Sequence, residues 1–113
     1  MKIEKILTGL GICLFVGAAI AGFIDDKTPV STVAQALKMP DDTPVVLEGK
    51  ITRRIKKDEY QFTDSTGSII VDIDKKDWQG IDVHPTDTVQ IHGDIDKDWL
   101  ETTVDVHSVK IVP

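Results

Sequence analysis

The stretch EGKITRRIKKDEYQFTDSTGSIIVDIDK, Glu48–Lys75, decides the fold. Runs of alternating apolar and polar residues are separated by two polar junctions, Lys57-Asp58-Glu59 and Asp64-Ser65-Thr66-Gly67. Alternation with a period of two indicates strands that bury one face. Gly67 can adopt the positive φ of a tight turn. The stretch therefore predicts three consecutive strands joined by short turns.

The first strand begins after Pro44. Its predicted inward face consists of Val45, Leu47, Gly49, Ile51, Arg53 and Ile55. A glycine in the middle of a strand indicates a bulge or a sharp bend, so we expect one at Gly49. In the second strand Tyr60 and Phe62 share one face, and the third strand places Ile69, Val71 and Ile73 inward.

The segment after the third strand breaks the alternation. Its sequence, KKDWQGIDVHPTD (residues 75–87), is too short and too irregular for a full helix. We expect a single helical turn at Asp77–Gln79, followed by a loop. Trp78 is expected to fold back and cover the core.

Two further strands complete the pattern. The fourth has Val89, Ile91 and Ile95 inward, with Gly93 in its middle, and the fifth runs from Trp99 or Leu100 to Val112. The inward residues of the fifth strand are Val104, Val106, Val109 and Ile111. Because their spacing slips by one residue, we expect a β-bulge near His107 and Ser108.

A short helix precedes the strands. Ser31 is a plausible N-cap for a helix through Lys38, with Val33, Ala36 and Leu37 on its apolar side. Met39-Pro40 ends it, because the residue before proline avoids the helical region. We expect the apolar side to close one end of the structure formed by the strands.

These elements predict an all-β domain, a five-stranded OB-fold Greek-key barrel with a short N-terminal helix. Residues 22–43 form the lead-in and helix, and residues 44–113 form the barrel. The inward side chains fill the interior of so small a barrel. Other molecules are therefore expected to bind at its rims and outer walls.

Residues 1–21 have the pattern of a signal peptide. Lys2 and Lys5 precede an apolar run, and small residues end at Ala21. This order predicts export with cleavage after Ala21. The alternative is a retained anchor, since the uncharged run from Ile6 to Ile24 approaches the ~20 residues of a bilayer span; membrane contact is expected only through this segment.

The expected mature domain, residues 22–113, is acidic. Without the first 21 residues, eleven cations face eighteen anions, a net charge of −7. This balance argues against a nucleic-acid partner, because affinity for nucleic acids depends on neutralising phosphates. Cys13 is removed with the signal segment, so stability must come from packing rather than from a disulfide.

The acidic residues near the last hairpin form one candidate site. Asp94, Asp96 and Asp98 occupy alternate positions, which sends their carboxylates to one side of a regular strand. Such a field attracts Ca²⁺, a polyamine or a cationic peptide. The spacing is not that of an EF-hand, because Trp99 stands where the loop requires glycine. Asp72 and Asp74 form a smaller pair, and in both cases a solvated surface is the alternative.

A second candidate site is the basic first-hairpin connection, with Arg53, Arg54, Lys56 and Lys57. We expect Arg53 and Lys57 to pair with Asp58, Glu59 or the acids of a neighbouring strand. The alternative is that the cluster binds an anionic partner such as a glycan carboxylate or a lipid phosphate. Single-stranded nucleic acid needs stacking aromatics on the outer face. Because Tyr60 and Phe62 point inward, nucleic acid is not the expected partner.

No residue pattern indicates catalysis, a metal or a cofactor. Zinc requires converging Cys and His ligands, and the three histidines are scattered. His92 and His107 meet only if they lie opposite each other on the last hairpin, where they would form a weak metal site or a pH-sensitive pair. No serine has a histidine spaced to activate it. The chain is therefore predicted not to be an enzyme.

YQFTDSTGSIIVDID (residues 60–74), Trp78 and VQIHGDID (residues 89–96) resemble the bacterial OB-fold (BOF) family of small periplasmic stress-tolerance proteins. The resemblance covers residues 28–112. It implies a signal peptide, a periplasmic location, an OB barrel with an N-terminal helix, and a role in tolerating envelope stress such as oxidants or cationic antimicrobial peptides. It implies no catalytic residues.

Together, these features predict an exported binding protein of the bacterial envelope that is not an enzyme. Its expected working surfaces are Arg53–Glu59 and Asp94–Trp99, because OB-folds bind beside these loops. The first hypothesis is capture of a cationic peptide or polyamine by the acidic tip of Asp94, Asp96 and Asp98, with Asp72 as a further candidate binding residue. The alternative is an adaptor that docks onto envelope proteins or cell-wall glycan through the basic loop.

Overall fold

A computed structural model describes residues 28–113. The predicted signal segment and most of the lead-in lie outside these residues. The elements are β1 Val30–Ser31, α1 Val33–Ala36, β2 Pro44–Lys56, β3 Glu59–Asp64, β4 Gly67–Asp72, a 3₁₀ helix Lys75–Trp78, β5 Val89–Lys97 and β6 Thr102–Ile111. Within residues 28–113, no helix has the length and apolar character needed to cross a membrane.

The strands form one sheet that closes on itself. Their order is β1-β2-β3-β4-β6-β5, and β5 also pairs with β2. The β1–β2 and β4–β6 pairs are parallel and the others are antiparallel. The predicted all-β, five-stranded barrel with one short helix is confirmed. The two-residue β1, an addition at the edge of β2, was not predicted.

Closure depends on β2, which changes partner at Gly49. Its first half pairs with β5 up to Gly49, opposite Val89, and its second half pairs with β3 from Lys50 onwards. A Cβ atom on Gly49 would lie 2.5 Å from the carbonyl oxygen of Thr63 and 3.0 Å from the ring of Phe62. Only glycine lets the strand bend here without displacing its neighbours.

The interior is filled by apolar side chains, among which Leu47, Phe62, Val71, Ile91 and Val104 are fully buried. Val33 and Ala36 of α1 are buried in the same cluster and lie beside the β3–β4 turn. At the opposite end of β3, Trp78 packs against the core together with Tyr60. The predicted roles of the helix and of Trp78 as covers of the core are therefore confirmed.

The helix differs in detail from its prediction. Its N-cap is Thr32, not Ser31, because Ser31 lies in β1 and pairs with Leu47. Thr32 Oγ1 accepts a hydrogen bond from Gln35 N at 3.1 Å, and Gln35 Oε1 accepts one from Thr32 N at 2.8 Å. The helix ends at Ala36, so Leu37 is not part of the apolar side and is 41% exposed.

The second half of β2 also departs from the predicted alternation. The pairing with β3 shifts between Ile51 and Arg53 and again between Arg54 and Lys56, so two residues bulge out of the ladder. Each bulge reverses which side the following residues face. Arg53 and Ile55, predicted to point inward, are consequently exposed.

The predicted bulge in the last hairpin is confirmed. His92 pairs with Ser108 and Gly93 pairs with Val106, which leaves His107 as the extra residue. Val104 and Val106 are buried as expected, whereas Ile111, at the end of β6, is 42% exposed. Because β6 begins at Thr102, residues 99 and 100 belong to the turn rather than to the strand.

We predict that Gly49→Ala destabilises the barrel by about 3 kcal/mol, since the new Cβ would overlap backbone atoms that cannot move freely. Gly80→Ala is the matched control, because no atom lies within 4 Å of its Cβ position and only its φ of +78° is unfavourable. The control should cost about 1 kcal/mol. Urea unfolding measures both. Equal losses of stability would show that closure does not depend on Gly49.

Candidate functional site

Three carboxylates lie side by side on the outside of the barrel. Asp94 of β5 pairs with Asp105 of β6, and Asp105 pairs with Asp72 of β4. Residues opposite each other on neighbouring strands point to the same face and are about 5 Å apart. We call Asp72, Asp105 and Asp94 the acidic strip.

The electrostatics of Asp72 show that acidic groups surround this end of the strip. Burial is the largest cause that raises the pKa of Asp72, and the charges of Asp74, Asp105, Asp58 and Glu59 raise it further. All of these neighbouring charges are negative. A bound cation would therefore relieve repulsion among groups that the fold holds together.

His107 interacts with one end of the strip. Its Nε2 lies 2.7 Å from Asp94 Oδ2. This hydrogen bond is the main cause that raises the pKa of His107; burial lowers it, and the charges of Asp94, Asp105 and Asp77 raise it. When His107 is protonated, it neutralises part of the field at Asp94.

The remaining predicted acids do not join the strip as one cluster. Asp98 belongs to the turn, where its Oδ1 accepts hydrogen bonds from the backbone N–H groups of Leu100 at 2.8 Å and Glu101 at 2.9 Å. The backbone hydrogen bonds from Glu101 and Leu100 lower the pKa of Asp98. Asp96 is exposed near the end of β5. The expectation that Asp94, Asp96 and Asp98 share one side was wrong for Asp98, because the strand ends before it.

Trp99 projects from this turn. It is 90% exposed, and Leu100 beside it is 73% exposed. The hydrogen bonds to Asp98 fix the backbone on which both side chains stand. Trp99 is thus an accessible surface residue, separate from the strip.

The four predicted basic residues have different surroundings. Lys56 Nζ lies 3.9 Å from Glu59 Oε1, and Arg53 Nε donates a hydrogen bond to Gln61 Oε1 at 3.0 Å. Lys57 is exposed in the turn. The expectation that Arg53 pairs with an acid was wrong, because the first bulge of β2 places it beside the Gln61 amide instead.

Arg54 faces a cleft at the end of the barrel that Trp78 covers. It pairs with Tyr60 in the β2–β3 ladder, and the rings of Tyr60 and Trp78 meet edge to face with centroids 5.3 Å apart. The cleft has a volume of about 330 Å³ and is lined by Ile51, Arg53, Arg54, Tyr60, Trp78, Ile81, Asp82, Val83 and Pro85. We call it the arginine–aromatic cleft.

The histidines do not form a pair. His92 Nε2 lies 3.1 Å from Gln90 Oε1 and faces Ser108, whereas His107 contacts Asp94. The condition for His92 and His107 to meet is not fulfilled, because the bulge places Ser108 opposite His92. In the part of the chain that the structure describes, no three His, Cys, Asp or Glu side chains converge to hold a metal ion.

The strand order and the filled interior define an OB-fold protein. The family model "Bacterial OB fold (BOF) protein" matches residues 16–111. The chain therefore belongs to the BOF family, as the sequence resemblance indicated.

Individual relatives agree with this assignment. The chain is 48% identical to protein YgiW of Escherichia coli K12 over 83 residues, which are 74% of this chain but only 64% of YgiW. It is 42% identical to the calcium-regulated OB-fold protein CarO of Pseudomonas aeruginosa over 86 residues, 75% of this chain and 74% of CarO.

Solved structures support the same fold. The structure of YgiW from E. coli superposes with a TM-score of 0.75 at 45% identity, covering 82% of this chain and 100% of that one. The telomere capping protein Ten1 from Saccharomyces pombe superposes with a TM-score of 0.60 at 16% identity, covering 73% and 78%. The second likeness shows the fold alone.

We predict that the pKa of His107 is raised and that it falls in Asp94→Asn, since the substitution removes the largest cause that raises it while burial remains. NMR titration of the imidazole measures both. Because the folded pKa is raised, the contribution of His107 to stability is complete below the unfolded pKa of about 6.5 and is lost as pH rises through the folded value. An unchanged pKa in Asp94→Asn would contradict the pairing; His84 in the same spectra serves as the control.

Proposed function

We propose that this chain is an exported binding protein of the bacterial envelope, not an enzyme, and that it captures cationic molecules on the acidic strip. The observation that carries the proposal is the alignment of Asp72, Asp105 and Asp94 on three neighbouring strands. The net charge of −7 in residues 22–113 supports it, because it attracts cations from a distance.

The energetics favour a cation with several charges. An exposed ion pair contributes only about 0–1 kcal/mol, so a single ammonium group would bind weakly. Three carboxylates spaced about 5 Å apart can engage successive charges of a polyamine or a cationic peptide. Salt should weaken this binding, because all three groups lie at the surface.

Binding rather than catalysis is supported by the position of the charged groups. The acidic strip lies on an open sheet face, whereas an activated catalytic group needs an enclosed and preorganised site. The names of YgiW and CarO contain no enzymatic activity. The name of CarO mentions regulation by calcium, so Ca²⁺ belongs among the cations to be tested.

Export and a role in stress tolerance rest on separate support. The charged, apolar and small-residue regions of residues 1–21 favour a signal peptide that is cleaved after Ala21. Placement in the periplasm would bring the acidic strip into contact with cationic peptides that enter the envelope. Capture at the strip would lower their free concentration near the membrane.

We predict that Asp72→Asn/Asp105→Asn weakens spermine binding at low salt by about fivefold or more, since two of three exposed contacts are lost. Glu48→Gln/Glu101→Gln is the matched control with the same change in net charge outside the strip, and it should change affinity less than about twofold. Calorimetric titration with spermine, a cationic peptide and Ca²⁺ measures the affinities. Equal weakening of spermine binding in both double variants would show that binding depends on net charge alone, and the strip would then be rejected as the site.

A second candidate function is an adaptor that docks onto envelope proteins or cell-wall glycan through the basic loop. It is favoured by the exposure of Lys57 and by Arg54, which lines the cleft and has no ion-pair partner among residues 28–113. Replacing Arg53, Arg54, Lys56 and Lys57 by Ser should abolish capture of a specific partner from envelope extract. If the captured proteins and glycan fragments stay the same, this function is excluded.

A further inference from the structure

We infer that the arginine–aromatic cleft binds a small organic monoanion with a flat apolar body, of the aryl carboxylate class. No residue of the acidic strip lines this cleft, and its ligand carries the opposite charge. Its floor, its aromatic wall and its cation come from different parts of the chain that the barrel brings together.

The floor and wall of the cleft are apolar and ordered by packing. Ile51 is 7% exposed, and Ile81 and Val83 pack against the core while remaining accessible from the cleft. The planes of Tyr60 and Trp78 meet at 81°, so each ring fixes the other. A flat guest can pack on one of these rings, and such aromatic contacts contribute about 0.5–1.5 kcal/mol beyond the area they bury.

The cation is placed in the cleft by the first bulge of β2. Without the shift between Ile51 and Arg53, regular alternation would point Arg53 to the side of Ile51. With it, Arg54 lies opposite Tyr60, whereas Arg53, which also lines the cleft, donates its Nε–H to Gln61 Oε1. Bulges that redirect one side chain are typical of sites next to ligands.

The charge of Arg54 is available to a ligand. In residues 28–113 no carboxylate lies within ion-pair distance of its guanidinium. A guanidinium offers two parallel N–H groups to a carboxylate, which gives a stronger contact than a single hydrogen bond. Arg54 is therefore the group expected to hold the anionic end of the ligand.

Asp82 and the size of the cleft restrict the ligand further. Asp82 lines the cleft together with Arg53 and Arg54 and offsets one of their two positive charges, so a single negative charge on the ligand completes the balance. The volume of about 330 Å³ lies at the lower end of the range for ligand sites and suits a single ring with a short side chain. Together, these features select monoanions over dianions and cations.

Trp78 provides a direct readout. The chain contains two tryptophans, and Trp99 is 90% exposed outside the cleft, so Trp99→Phe leaves a folded protein with one reporter in the cleft. Its fluorescence is titrated with phenylacetate, phenethylamine and phenylmalonate, which share a ring and differ in charge. Phenylacetate should give a saturable change, with an apparent affinity about tenfold or more above those of the other two.

Two substitutions that should change phenylacetate affinity in opposite directions test the site. In the Trp99→Phe background, Arg54→Gln should weaken phenylacetate binding about tenfold, whereas Asp82→Asn should strengthen it. Lys57→Gln, which removes an exposed cation outside the cleft, should leave it unchanged. Thermal unfolding of each variant confirms folding, and retained spermine binding by Arg54→Gln separates this site from the acidic strip.

Several results would overturn the inference. They are the absence of a saturable signal with phenylacetate, equal affinity for phenylacetate and phenethylamine, and equal affinity in wild type and Arg54→Gln. A loss in Lys57→Gln as large as that in Arg54→Gln would also overturn it, since attraction would then depend on the charge of the whole loop.

Discussion

The fold depends on the close contact between Gly49 and β3. At this point β2 leaves β5 and joins β3, which turns a sheet into a barrel. A side chain here would meet the Thr63 carbonyl and the Phe62 ring, so closure and the packing of the interior rest on the same missing Cβ. Closure also brings β4 against β6 in parallel, and that pairing places Asp72 beside Asp105. The surface chemistry of the protein is thus a consequence of how its core is sealed.

The N-terminal helix is joined to the barrel mainly by one carboxylate. Asp64 Oδ2 accepts a hydrogen bond from Val33 N at 2.9 Å, and its Oδ1 accepts from the backbone N–H and the hydroxyl of Thr66. Burial raises the pKa of Asp64, but the hydrogen bonds from Thr66, Val33 and Gly67 outweigh it and lower the pKa. A helix of four residues is too short to be stable alone. It persists because the turn that ends β3 supplies its hydrogen-bond acceptor and the core accepts Val33.

The sequence predicts the barrel better than it predicts the sites, and particular residues show why. The bulge at His107 is visible because the apolar residues on either side of it fall out of phase. The bulges of β2 are not visible in the sequence, since the positions of Arg53 and Ile55 continue the alternation of Val45, Leu47, Gly49 and Ile51. The hydrogen-bonded register with β3 nevertheless shifts at both places. Asp105 could not be assigned to a site from the sequence, because its proximity to Asp72 depends on which strands become neighbours in the barrel. Similarly, Ser31 and Thr32 are equally good caps until the pairing of Ser31 with Leu47 excludes one of them.

The acidic strip and the arginine–aromatic cleft hold charges of opposite sign on different surfaces. This arrangement costs the fold little free energy. Exposed carboxylates at about 5 Å repel one another weakly in water, and salt screens them beyond about 8 Å. A ligand that contacts all three carboxylates at once sums their attraction. The attraction of each carboxylate alone is only comparable to the thermal energy. In the arginine–aromatic cleft the arginine side chains act next to an apolar wall that excludes part of the water. We therefore propose that the strip selects ligands by a pattern of charges, whereas the cleft selects them by charge together with shape.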